Sequence, residues 1–176
     1  HTPTRRQRQM CIRDSPNNDS QARFIELTNI GDNAFDLTGY QLVRWTNANT
    51  AYTTSSAVDL SEFGSLQSKG ILTLANNTNF EAVYGVAPTK VIGSTGPADS
   101  NGDDNIAILD PNGSIYDVYG VPGTDGTGQP HEFEDGRAER KGSVTAPSST
   151  WDLNEWNIDN DAGAGDGALD LSLIHI

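Results

Sequence analysis

The chain has a single cysteine, Cys11, in 176 residues. That excludes a disulfide framework and any zinc site built from several cysteines. Histidine is nearly as scarce: His1 and His175 sit at the two ends, and only His131 lies in the body of the chain. With one imidazole to draw on and no Gly-x-Ser-x-Gly elbow, a Ser-His-Asp hydrolytic arrangement lacks its parts. Cationic residues are few as well, 11 Lys+Arg against 24 Asp+Glu, for a formal net charge of -13. Such an excess repels a phosphate backbone, which argues against direct nucleic-acid binding, and it favours solubility. No apolar run approaches the roughly 20 residues that span a bilayer. The glycine-rich stretch 120–128 lacks the Gly-Lys-Ser/Thr ending of a phosphate loop.

The two ends differ from the rest. Arg6 to Ser15 and Leu171 to Ile176 resemble translated sequencing-adapter read-through, and Arg5, Arg6, Arg8 and Arg13 stand there against the lone Asp14. We expect residues 1–15 and 171–176 to be foreign and without structure. Cys11 falls in the first stretch, which also removes the thiol as a nucleophile. The N-terminus has no apolar core of a signal peptide behind its charges.

What the chain does have is short β-branched and aromatic runs separated by Gly, Asn, Asp, Ser and Pro clusters, the pattern of a sandwich or barrel. In Phe24-Ile25-Glu26-Leu27, alternation puts Ile25 and Leu27 on one face, toward the core. Tyr40 to Trp45 predicts a strand with Leu42 on one face and Val43 and Trp45 on the other, and Leu37 plugs the end of the sandwich. Residues 46–56 read as a loop and 58–63 as a short strand or turn. Gly70 to Ala75 reads as a central strand buried on both sides. Asn79 to Gly85 predicts the one helix, with Asn79 as N-cap, a Phe80/Val83/Tyr84 face and a glycine stop. Further strands are expected at 90–93, 105–110, 114–119 and 137–141. Asp110-Pro111-Asn112-Gly113 makes a tight hairpin, because Pro pre-sets one dihedral and Gly accepts positive φ. Trp151 and Trp156 close the apolar end. Residues 159–170 read as an acidic, Gly-rich linker.

Three groups of residues carry a family resemblance. They are Arg23 to Asn29 followed by Asp36-Leu37-Thr38-Gly39-Tyr40; Gly102-Asp103-Asp104-Asn105 opening Ile106 to Leu109; and Glu134-Asp135-Gly136 followed by Arg140-Lys141. In this order the chain resembles the lamin-tail domain, known from nuclear lamins and from secreted bacterial multidomain proteins, over roughly Arg23 to Trp156. The resemblance implies an all-β fold, an immunoglobulin-like antiparallel β-sandwich with one short helix, over residues 16–158. Family members begin with a strand and a polar turn. The turn survives here as Pro16 to Ser20, and the first strand is expected to be missing.

Candidate chemistry is sparse. His131-Glu132-Phe133-Glu134-Asp135 could offer metal ligands, but neighbours on an extended segment point to opposite faces, which favours an exposed edge leading into a turn. Paired carboxylates are non-specific in so acidic a chain. Asp99, Asn101 and Asp103 space oxygens at alternate positions and Asp110 falls twelfth, as in a calcium loop, yet Asp104 stands sixth, where that loop needs Gly. Asp159, Asn160, Asp161, Asp166 and Asp170 make a second loose match. The alternative for both is a solvated acidic turn.

The expectation is therefore no catalytic residue, no cofactor unless calcium at Asp99, Asn101, Asp103 and Asp110, and a non-catalytic binding or scaffolding module of a secreted or cell-surface protein. Its partner would be a protein or surface ligand met through loops such as 120–128. The resemblance also implies an alternative, an accessory domain of an extracellular nuclease whose catalytic domain is absent from this fragment, and the acidic clusters give a second, a calcium-dependent adhesion domain.

Overall fold

A computed structural model describes residues 8–13, 22–134 and 136–160. The Pro16 to Ser20 turn, most of the 159–170 linker and the 171–176 end lie outside the described residues. In chain order the elements are β1 (Arg8–Arg13), β2 (Phe24–Asn29), β3 (Phe35–Asp36), β4 (Gln41–Trp45), β5 (Val58–Asp59), β6 (Ser65–Leu66), β7 (Ile71–Ala75), α1 (Asn79–Tyr84), β8 (Lys90–Val91), β9 (Asn105–Leu109), β10 (Ile115–Tyr119), β11 (Arg137–Arg140) and β12 (Trp156–Asp159). Among the described residues they form a six-stranded sheet in the order β12-β11-β1-β2-β7-β8 and a four-stranded sheet β10-β9-β4-β5, with β3 and β6 as a separate pair. Pairing is antiparallel except between β7 and β8, which run parallel.

The main core lies between the two sheets. Ile25, Leu27, Leu72, Leu74 and Trp156 enter it from the larger sheet, and Leu42, Ile106, Ile108 and Tyr119 from the smaller. Leu37 closes one end as its position suggested, at 1% exposure. Each such side chain contributes about 1.5–3 kcal/mol by leaving water. Every residue of β9 is buried, because the outer face of the smaller sheet is covered too. There Val43, Trp45, Ala107, Leu109 and Val118 pack under Tyr52, Ala57 and Trp151. The Leu42 versus Val43/Trp45 division read from alternation is the division between these two cores.

Several expectations are corrected. The first strand is not missing: β1 pairs with β2 along Arg8–Arg13 and with β11 on its other side, within the stretch expected to lack structure. Backbone pairing on both flanks can recruit a segment whose composition does not announce a strand. The β7 strand is next to the edge rather than central, and its Ile71 is 44% exposed. Thr78 rather than Asn79 is the helix N-cap, with the Asn77 side chain accepting from the Asn79 N–H at 3.2 Å. Val83 is solvent-facing, so the helix docks through Phe80 and Tyr84 against Phe24, with edge-on ring contacts at 5.1 and 5.2 Å. The short pairs β3–β6 and the strand β12 are additions that the sequence did not suggest.

The Asp36 to Tyr40 turn explains its own composition. Asp36 Oδ1 accepts from the Thr38 N–H at 3.0 Å, the usual Asp-initiated turn. Gly39 follows at φ +78, and a Cβ there would stand 2.9 Å from Pro111 Cβ. Gly39→Ala is expected to cost about 1–2 kcal/mol from the left-handed backbone alone. The check is a fall in urea midpoint at unchanged slope.

Candidate functional site

β4 and β9 pair so that Trp45 faces Asn105, and the Gly102-Asp103-Asp104-Asn105 lead-in to β9 therefore meets the loop after β4. All four of these residues are buried. Gly102 is at φ +106, and a Cβ there would overlap the backbone of Phe133 and Glu134, whose chain it approaches closely enough for Phe133 N–H to donate to Gly102 O at 3.0 Å. Asp103 accepts from Asn47 Nδ2 at 3.1 Å, and its carbonyl accepts from the Gly126 N–H at 2.9 Å. Its Oδ1 is buried with no protein donor.

Asp104 accepts from Arg44 Nη1 at 3.2 Å and from the Asn47 N–H at 3.0 Å. Burial pushes its carboxyl pKa up, against the pull of Arg44 and the Asn47 N–H, and the neighbouring Asp103 adds to the rise. Asn105 donates to Thr124 O at 2.9 Å and to Asn47 O at 3.4 Å, while its Oδ1 accepts from the Val121 N–H at 2.7 Å. Four consecutive residues thus tie down the loops at 46–50, 120–126 and 131–134. Asn47, the common partner of Asp103, Asp104 and Asn105, is held at φ +50.

His131 and Phe133 are not on an exposed edge. They are 2% and 0% exposed, packed against Tyr119, whose hydroxyl donates to His131 O at 2.7 Å. Burial lowers the pKa of His131, with Glu132 and Asp125 opposing. Its Nε2 has no hydrogen-bond partner, so it is not paired with a nucleophile.

The four residues expected as calcium ligands are not brought to one place. Asp99 accepts from Asn76 Nδ2 at 2.9 Å and lies 3.7 Å from Arg23. Asn101 is exposed, and Asp103 is bound to Asn47. Asp110 lies beyond the five residues of β9, about 17 Å along an extended strand, where it accepts from the backbone of Asn112 and Ser114. Among the described residues no group of three or more His, Cys, Asp or Glu is placed to hold a metal ion. Of the second match, Asp161, Asp166 and Asp170 lie outside the described residues.

At the Asp103 end Asp103 and Asp104 turn inward and residues 47–50, 101, 121 and 127–130 are exposed without charge, while Glu134 is exposed and Asp125 and Glu132 are half-buried beside them. At the other end Asp36, Asp59 and Glu62 are exposed, and hydrogen bonds from Thr38 and Ser61 hold the two aspartate carboxyls below their usual range. The sequence reading missed the inward turn of Asp103 and Asp104. Its signal was the wholly apolar Ile106 to Leu109 run directly after Asp-Asp-Asn, which sets those polar residues at the mouth of the core.

No curated protein matches the chain. The lamin tail domain family matches residues 10–123, from within β1 to the loop after β10. That span takes in the Asp36 to Tyr40 turn and the buried Gly102 to Asn105 anchor, and the chain belongs to the lamin tail domain family.

Proposed function

We propose that this domain is a non-catalytic binding or scaffolding module of a secreted or cell-surface multidomain protein, and that it meets its partner with the end of the sandwich formed by loops 47–50 and 127–130. Lamin tail domains are immunoglobulin-like and generally serve as binding modules. One observation carries the reading: the side chains with reactive potential at this end, Asp103, Asp104 and His131, are buried as loop anchors, and residues 47–50 and 127–130 face solvent as an uncharged loop surface beside Glu134. Such surfaces recognise by hydrogen bonding and shape, on loops positioned by a rigid frame.

Co-sedimentation with isolated cell-envelope material tests it. Retention of the wild-type chain is expected, with about a tenfold loss for an Asn49→Arg/Gln129→Arg variant, corresponding to about 1.4 kcal/mol. Turnover of phosphodiester, ester or glycoside substrates by the isolated chain would overturn the reading. The parent reading frame separates it from the nuclease-accessory alternative, which requires a nuclease domain in the same polypeptide. Calcium dependence has its own test: the melting temperature is expected to be the same in calcium and in chelator, and a calcium-induced rise of several degrees would restore the adhesion alternative.

A further inference from the structure

The segment from Gly120 to Glu134 carries the chain from β10 to β11, and no strand ladder runs through it. It is held by discrete attachments: Val121 N–H and Thr124 O on Asn105, Gly126 N–H on Asp103 O, Phe133 N–H on Gly102 O, and the Tyr119 hydroxyl on His131 O. The largest polar side chain it buries is His131. The imidazole lies edge-on between aromatic rings, 5.4 Å from Trp151 and 6.5 Å from Tyr119, with Nε2 unpartnered.

We propose that His131 is a proton-operated latch: neutral, it seats residues 120–134 against the sandwich, and protonated, it releases that loop while both sheets remain formed. The charged groups around it favour this outcome. From β10 it faces the neutral phenol of Tyr119, from β9 the carboxamide of Asn105 beside Gly120, and from the segment before β12 the indole of Trp151. The carboxylates that act on it, Glu132 and Asp125, both belong to its own loop. They travel with the imidazolium when the loop leaves, so they attract it in the open state as well as in the closed one. Burial penalises the charge only in the closed state.

The sign follows from where the proton binds more tightly. The seated His131 has a pKa below the ordinary 6.5, whereas in the open loop the burial that lowers it is gone and the carboxylates of the loop remain, so the pKa is not depressed. The closed state therefore keeps its full advantage above pH 6.5 and loses it progressively as pH falls from there toward the depressed value. The latch is independent of which ligand the loop end recognises.

Amide hydrogen exchange on the full chain, corrected for intrinsic rates, reads it directly. Between about pH 7.5 and about pH 5, protection of amides in 120–134 is expected to fall about tenfold, while amides of β4 and β9 keep theirs. In His131→Phe, and in His131→Gln, the fall is expected to vanish. Unchanged protection, a fall that persists in both variants, or equal loss throughout the sandwich would each overturn the proposal. Should neither variant fold, the wild-type imidazole titration by carbon-proton NMR decides. A pKa below 6.5 accompanied by shifts in Trp151 supports the latch, and a pKa at or above that value, as for a cation held against the Trp151 ring, overturns it.

Discussion

Replacing Arg140 with methionine is expected to destabilise the domain by about 3–5 kcal/mol, because it strands a buried carboxylate. Arg140 on β11 and Asp117 on β10 belong to different sheets, and Nη1 donates to Asp117 Oδ1 at 2.6 Å, both side chains at 2% exposure or less. Arg140 also bonds Glu155 and lies 4.8 Å over the Trp156 ring. Asp117 further accepts from the Ser148 N–H at 3.1 Å, which attaches the segment covering β10. The pair is thus a polar tie between the two sheets. Urea denaturation measures the loss. The double variant Arg140→Met/Asp117→Leu is expected to recover most of it, since two apolar groups of similar volume leave no charge behind. A single-variant cost under about 1 kcal/mol, the value of a surface pair, would show that Asp117 finds water or another donor.

The legible parts of this fold are those in which a residue's neighbours in sequence decide its conformation. Ile25 and Leu27, Leu42 against Val43 and Trp45, and the hairpin across Pro111-Asn112-Gly113 all follow from two-residue alternation or from turn chemistry, and the structure has them so. The strand at Arg137 to Arg140 was legible, but Arg140 as a buried residue was not, because its partner Asp117 is 23 residues away on another sheet. β1 failed for the opposite reason: its arginine-rich composition says nothing, and its place between β2 and β11 is set by backbone pairing across the chain. β12 is four residues, two of them Asn157 and Asp159, too short and too polar to register. At the loop end the acids looked like cation ligands because acidity without location suggests exposure. Asp103 and Asp104 are instead acceptors for the loop after β4, a role visible only once Trp45 is known to face Asn105.

The same logic predicts a large effect from exchanging a single amide for a carboxyl. In Asn105→Asp the Nδ2 that donates to Thr124 O and Asn47 O becomes an oxygen facing two carbonyl oxygens, in a side chain with 0% exposure and next to Asp104. A buried charge without a donor costs at least about 3 kcal/mol at neutral pH, more than deleting the side chain, since Asn105→Ala forfeits bonds without adding repulsion. Only the Val121 N–H remains as a donor to the new carboxylate. The group is relieved by taking up a proton, which restores one donor, so its folded-state pKa lies above its unfolded one. Stability is then retained below the unfolded carboxyl pKa and lost as pH rises through the folded value. The deficit of the variant against wild type is accordingly expected to shrink on acidification, opposite in sign to the His131 effect in the native chain. Thermal denaturation of both proteins across that range measures it, and a deficit that stays constant with pH would mean that the Asn105 site admits solvent. The same variant should also loosen residues 120–124 at neutral pH, because Val121 and Thr124 meet the frame through this side chain.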